Sequence, residues 1–102
     1  METAPCPWRD GVLLVCINER APGAPKPSCG RERGAALRKL LKQRARAAGV
    51  DGLRVLEASC LDVCPAAGVA VARVPGDEVA IVDPRDDSDI EAVIAWARGA
   101  PR

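Results

Sequence analysis

The sequence predicts one α/β domain in the order β-α-β-β-β-α, with a four-stranded mixed sheet and flanking helices. Three observations carry this. Four short runs rich in valine, leucine and isoleucine are set apart by glycine, proline and aspartate clusters. A long stretch with apolar residues at helical spacing lies between the first and second runs, and a shorter one follows the fourth. The whole chain, 102 residues, has the length of a single domain.

Residues 1–10, with Pro5, Cys6, Pro7 and Trp8, read as an extended arm before a domain over 11–99 and a tail over 100–102. Residues 11–18 (Gly-Val-Leu-Leu-Val-Cys-Ile-Asn) are a continuous apolar run, which suits a central strand buried on both faces. Pro22, Pro25 and Pro27 each remove an N–H donor and fix φ, so residues 19–28 are a stiff loop closed by Cys29. Within 30–48, Leu37, Leu40, Leu41, Ala45 and Ala48 form one helical stripe, and Gly49 is placed to cap it. Residues 53–59 read as the second strand. A helix between two strands makes a βαβ unit, so the first two strands should be parallel. The runs 68–74 and 78–82 flank Pro75-Gly76-Asp77, a turn signal, and should form a hairpin. Ser88 and Glu91 have the spacing of a capping box for a last helix, whose buried face would be Ile90, Val93, Ile94 and Ala97. Trp96 falls off that stripe. It is expected either to be partly buried against the sheet or arm, or to contact a partner.

Composition excludes several classes of function. Net charge is +1, and aromatic residues are 2% of the chain, so neither an electrostatic footprint nor a base-stacking platform for nucleic acid is present. The apolar runs are too short to span a bilayer, and Met1-Glu2-Thr3-Ala4-Pro5 lacks the basic and apolar regions of a signal peptide. A cytoplasmic protein is expected. Charge is uneven: residues 31–46 hold seven Lys/Arg and 77–91 hold seven Asp/Glu. Both stretches read as solvated faces, or the basic helix docks an acidic redox partner.

Five cysteines in such a chain point to metal or redox chemistry rather than disulfides. Cys16 and Cys29 are separated by twelve residues, and Cys60 and Cys64 by three. With no histidine anywhere, four thiolates suit a soft metal or an iron–sulfur cluster. The predicted topology places Cys16 and Cys60 at neighbouring C-terminal strand ends, Cys29 just before a helix start and Cys64 on the next loop. All four can therefore converge at one end. Helix-start N–H groups favour an anionic group there, and Gly30, Gly34 and Gly68 allow close backbone approach. Ser28 adds a hydroxyl donor, and Val63, Pro65, Ala66 and Ala67 would cover the site with small apolar groups. Cys6 stands outside, as an inert arm thiol or a redox-sensitive one.

At this point four other uses of the cysteines are open. They are buried reduced thiols, a Cys₄ zinc site, dithiol exchange and a [4Fe-4S] cluster. Zinc ligands usually come in pairs two to four residues apart, which fits Cys60/Cys64 and not Cys16/Cys29. Dithiol exchange wants Cys-x-x-Cys, and the common [4Fe-4S] signature has closely spaced cysteines; neither is present.

Cys16-x12-Cys29 in a Pro-Gly-Pro loop, a helix, then Cys60-x3-Cys64 before a Val-rich hairpin resembles the thioredoxin-like [2Fe-2S] ferredoxins. The stretch Arg20-Ala-Pro-Gly-Ala-Pro-Lys-Pro-Ser-Cys29-Gly30 is especially similar to their first ligand loop, and the likeness runs over about residues 11–98. The resemblance implies a thioredoxin-like fold and a [2Fe-2S] cluster with ligands Cys16, Cys29, Cys60 and Cys64. It also implies a one-electron carrier rather than an enzyme, with redox partner proteins and often a homodimer. Related subunits of larger redox enzymes carry an additional N-terminal helical region, so a free-standing carrier is expected here. The loop Leu61-Asp62-Val63 lacks the larger, sulfur-rich side chains of some members, which bears on potential and exposure. A zinc-stabilised interaction module and a labile cluster donor or sensor are the competing functions.

Overall fold

The computed structural model describes residues 1–21, 23, 29–61, 63, 67–74 and 76–99. These form β1 (Gly11–Cys16), α1 (Arg31–Ala47), β2 (Leu53–Ala58), β3 (Val69–Val74), β4 (Val79–Val82) and α2 (Asp87–Ala97). The element order is the expected one. β1 and β2 stop one or two residues before the ends of their apolar runs, and β3 and β4 start one residue late.

The sheet order is β2-β1-β3-β4. β1 and β2 are parallel, with Gly11 opposite Leu53 and Cys16 opposite Ala58. β3 runs antiparallel to β1, pairing Val15 with Val71, and β4 runs antiparallel to β3. The continuous apolar run of β1 is thus accounted for by its central place: five of its six residues are buried. β2 lies at an edge, and Val55 is its one fully buried residue.

The helices touch each other, and both touch β1. α1 contributes Leu37, Leu41 and Ala45 to the core, and Leu40 packs half-buried against it. Ala48 does not join this stripe. It is the exposed C-cap residue, because the helix ends at Ala47 and the chain turns there. Gly49 has φ 76° and donates its N–H to Arg46 O at 3.1 Å, while Val50 N–H bonds Ala45 O at 2.9 Å. This pair of bonds is a Schellman cap, and it carries Val50 into the core.

α2 begins two residues earlier than the Ser88–Glu91 pattern suggests. Asp86 is the N-cap, and its carboxylate accepts the Ser88 N–H at 2.9 Å. Aspartate caps as well as serine, and the turn Asp83–Asp86 presents Asp86 first: Asp86 N–H bonds Asp83 O, and Asp83 N–H bonds the Asp89 carboxylate. The predicted buried face, Ile90, Val93, Ile94 and Ala97, is observed, and Trp96 widens it with only 5% exposure. Trp96 lines a cleft between α2 and β4 together with Ala80 and Val82.

Arg44 of α1 bridges to α2, bonding Asp87 at 2.8 Å and Glu91 at 3.3 Å. At the N-terminal end of β1 the arm is tied down. Asp10 N–H bonds Gly52 O, and Gly52 N–H returns a bond to the Asp10 carboxylate, both at 3.0 Å. A side chain at Gly52 would collide with that carboxylate.

Candidate metal centre

The parallel pair β1–β2 delivers two cysteine-bearing segments to one end of the sheet. Cys16 is the last residue of β1, and the next residue, Ile17, still bonds Ala58 O of β2 at 2.9 Å. The chain leaves the sheet after this and is buried again at Cys29; Pro22, Pro25 and Pro27 of the expected stiff loop fall outside the described residues. Gly30 N–H bonds Asn18 O at 2.8 Å and closes the loop at its base.

Cys16 and Cys29 are brought together. Each is 2% exposed, and both belong to one buried core cluster. Ala70 N–H points at Cys29 Sγ, at 3.4 Å. Ala70 precedes Val71, the residue paired with Val15, so β3 at this level has passed the last paired residue of β1. The N–H that would have continued the ladder meets sulfur instead. Burial pushes the Cys29 thiol above its ordinary value near 9.0, and the neighbouring Cys16 thiol adds to this. The Ala70 N–H and the positive charge of Arg33 act the other way.

The glycines divide their tasks. A Cβ on Gly34 would collide with the backbone carbonyl of Cys16 and with Ile17, so only glycine lets the first turn of α1 press against the end of β1. Gly30 faces open space. It serves through φ 89° as an N-cap without a side-chain cap, leaving the helix start without a competing side-chain acceptor. Gly68 combines φ 83° with a close approach to Ile81 and Val82 of β4.

Cys60 lies two residues beyond β2 and is exposed. Cys64, Ser28, Pro65 and Ala66 fall outside the described residues. Among the described residues no three Cys, Asp or Glu side chains form a group placed to hold a metal ion. Cys6 is exposed on the arm, and no disulfide joins Cys6, Cys16, Cys29 or Cys60. Of the expected apolar cover, Val63 is half-buried and packs on the core while Ala67 is exposed. Leu61, half-buried beside it, is a cover residue that the small-residue pattern did not point to.

Arg33 is the residue that sequence reasoning passed over, as one of seven cations on 31–46. Its guanidinium donates to Gly68 O at 2.6 Å. No sequence signal set it apart from the other cations, because Cys29 lies before the helix and the helical spacing that makes residues four apart neighbours does not reach it.

The donor set fits a thiolate-bound group. Two cysteines are buried in one cluster, a backbone N–H is aimed at the sulfur of one, and a glycine admits the helix start to within contact of the other's backbone.

No protein-family model matches the chain, and no curated protein matches it in sequence. Solved structures do match. The wild-type thioredoxin-like [2Fe-2S] ferredoxin from Aquifex aeolicus superposes with a TM-score of 0.69 over 89% of each chain, at 21% identity. One cysteine-to-serine variant of that ferredoxin gives 0.71 over 89% of this chain and 91% of its own, at 19% identity. The chain therefore has the thioredoxin-like fold of those ferredoxins, as the cysteine loops and element order led one to expect.

Proposed function

We propose that the chain is a one-electron carrier that holds a [2Fe-2S] cluster on Cys16, Cys29, Cys60 and Cys64. The observation that carries this reading is the burial of Cys16 and Cys29 in one core cluster, with the Ala70 N–H aimed at Cys29 Sγ. The shared fold with thioredoxin-like [2Fe-2S] ferredoxins supports it. When bound, such a cluster supplies reversible storage of one electron.

The chain's own groups suit that task. Cys29 must give up its proton to ligate, and the Ala70 N–H and Arg33 favour the thiolate against burial. Leu61 and Val63 keep water from one side. Gly34 lets the start of α1 stand close to Cys16, so its N–H groups face an anion. No bond-making catalysis is assigned. Redox partners of acidic character would meet the cations of α1, of which Arg31, Arg33, Lys39, Lys42 and Arg46 are exposed. A cytoplasmic setting, which keeps thiols reduced before loading, and a homodimer complete the reading.

Anaerobic purification with iron, sulfide and zinc analysis tests it. Two irons and two sulfides per chain with red-brown absorption are expected; a colourless chain with one zinc would overturn it. Serine at Cys16, Cys29, Cys60 or Cys64 should impair or alter the cluster, and Cys6→Ser should not. The exposure of Cys60 favours a second reading, a labile cluster given up to another protein. Repeated reduction and reoxidation without loss of iron decides for the carrier.

A further inference from the structure

We infer that Arg33 is a positioning residue for the cluster, fastening the strand entry at Gly68–Ala70 to the ligand segment at Cys29 and holding a fixed positive charge beside the sulfur. The inference rests on the [2Fe-2S] reading. Arg33 lies four residues after Cys29, and Gly68 lies four after Cys64. The 2.6 Å bond from Arg33 Nη2 to Gly68 O therefore joins the two ligand-bearing segments to each other.

Both ends of this tie are anchored. At one end Arg33 sits in the first turn of α1, next to Gly34, which is pressed against the Cys16 carbonyl. At the other end Gly68 is pressed against Ile81 and Val82 of β4. Two residues further on, Ala70 N–H meets Cys29 Sγ. Residues 29–33 and 68–70 are thus joined twice, once from the Arg33 side chain to the Gly68 backbone and once from the Ala70 backbone to the Cys29 sulfur. The Arg33 charge also acts directly on Cys29.

The consequence for the site follows from charge. One electron makes the cluster more anionic. An N–H aimed at sulfur and a nearby guanidinium both favour the reduced form, so both raise the reduction potential. Removing Arg33 removes the charge and frees the segment that carries the Ala70 N–H. Lysine keeps the charge and one donor but not the planar fork.

The test compares Arg33→Gln and Arg33→Lys with the wild-type chain, loaded anaerobically. The midpoint potential of Arg33→Gln should fall, by a threefold to tenfold change in the one-electron equilibrium, up to about 59 mV. Its iron should leave several-fold faster under chelator, and Arg33→Lys should recover most of the potential. Equal potentials in Gln and wild-type chains overturn the charge role, whatever happens to melting temperature. Amide exchange at Ala70 in the metal-free chain tests the tie without any cluster. It should rise several-fold in Arg33→Gln relative to Leu13 and Leu37, and unchanged exchange overturns the tie. A wild-type chain that takes up no iron and sulfide overturns the cluster reading and the role at the cluster with it, and the exchange result then shows whether the tie itself stands.

Discussion

At the scale of single residues, the site depends on a missing side chain and a retained proton. Gly34 stands in the first turn of a helix, where alanine would ordinarily raise helix propensity by about 1 kcal/mol. Here the added methyl meets the Cys16 carbonyl, which is backbone and cannot turn aside. Gly34→Ala should therefore destabilise the chain by about 1–3 kcal/mol, seen as a lower melting temperature, and should weaken iron retention. A gain in stability would show that α1 is free to shift. Cys29 gives a pH prediction for the metal-free chain. Its folded value lies above the ordinary 9.0, so the unfolded chain releases this proton first. The contribution is fully present below the ordinary thiol value and is lost as pH rises toward the folded value. The slope is at most about 1.4 kcal/mol per pH unit. Denaturant titrations between about pH 7 and 10 should show the fall, and Cys29→Ser should flatten it. An equal slope in the serine variant would assign the effect elsewhere.

At the scale of elements, local chemistry decides the boundaries. α2 offers two capping candidates two residues apart, and the carboxylate of Asp86 holds the Ser88 N–H. Asp86→Ala should cost about 1 kcal/mol, and Ser88→Ala much less. The reverse ranking in thermal melts would restore the Ser88–Glu91 box. Leu37 and Leu41 are fully buried between α1 and the sheet, so Leu37→Ala should cost about 2–5 kcal/mol in either loaded or metal-free chain. The strands and α1 were legible because β-branched runs, prolines and glycines mark their limits without tertiary help. The cap of α2 was not, because serine and aspartate compete for the same N–H groups and the turn geometry of residues 83–86 decides between them. Trp96 escaped the helical stripe for a related reason. An indole reaches beyond the width that a Leu/Ile stripe defines, and Trp96 is buried beside the cleft between α2 and β4.

At the scale of the whole molecule, topology made much of the site readable. A parallel pair with a helix between its strands must bring Cys16 and the start of α1 to one end, and the proline loop closes back there at Gly30. What could not be read was the register-level detail: that the β1–β3 pairing ends at Val15–Val71, one residue before Ala70, leaving its N–H for sulfur, and that one of the seven cations on 31–46 is tied across to Gly68. Those depend on how strands slide and on which rotamer a long side chain adopts. With a core built from Leu, Val, Ile and Ala around one tryptophan, a bound cluster should add markedly to stability, about 2.7 kcal/mol when free ligand exceeds its dissociation constant a hundredfold. Stripping the metal should lower the melting temperature. Arg44→Ala, which cuts the α1–α2 bridge, should give a further small fall that salt diminishes. If that fall vanishes in the metal-free chain, the bridge and the site are coupled rather than independent.

The clasp between Asp10 and Gly52 sits at the opposite end of β1 from Cys16, and the exposed Cys6 precedes it by four residues in the chain. Six residues of strand, about 17 Å, separate the two ends. For an electrode, this gives the molecule a handle and a working tip. Coupled to gold through Cys6, the chain would stand with its cysteine pole toward the solution, where a soluble partner can reach it and the metal surface cannot.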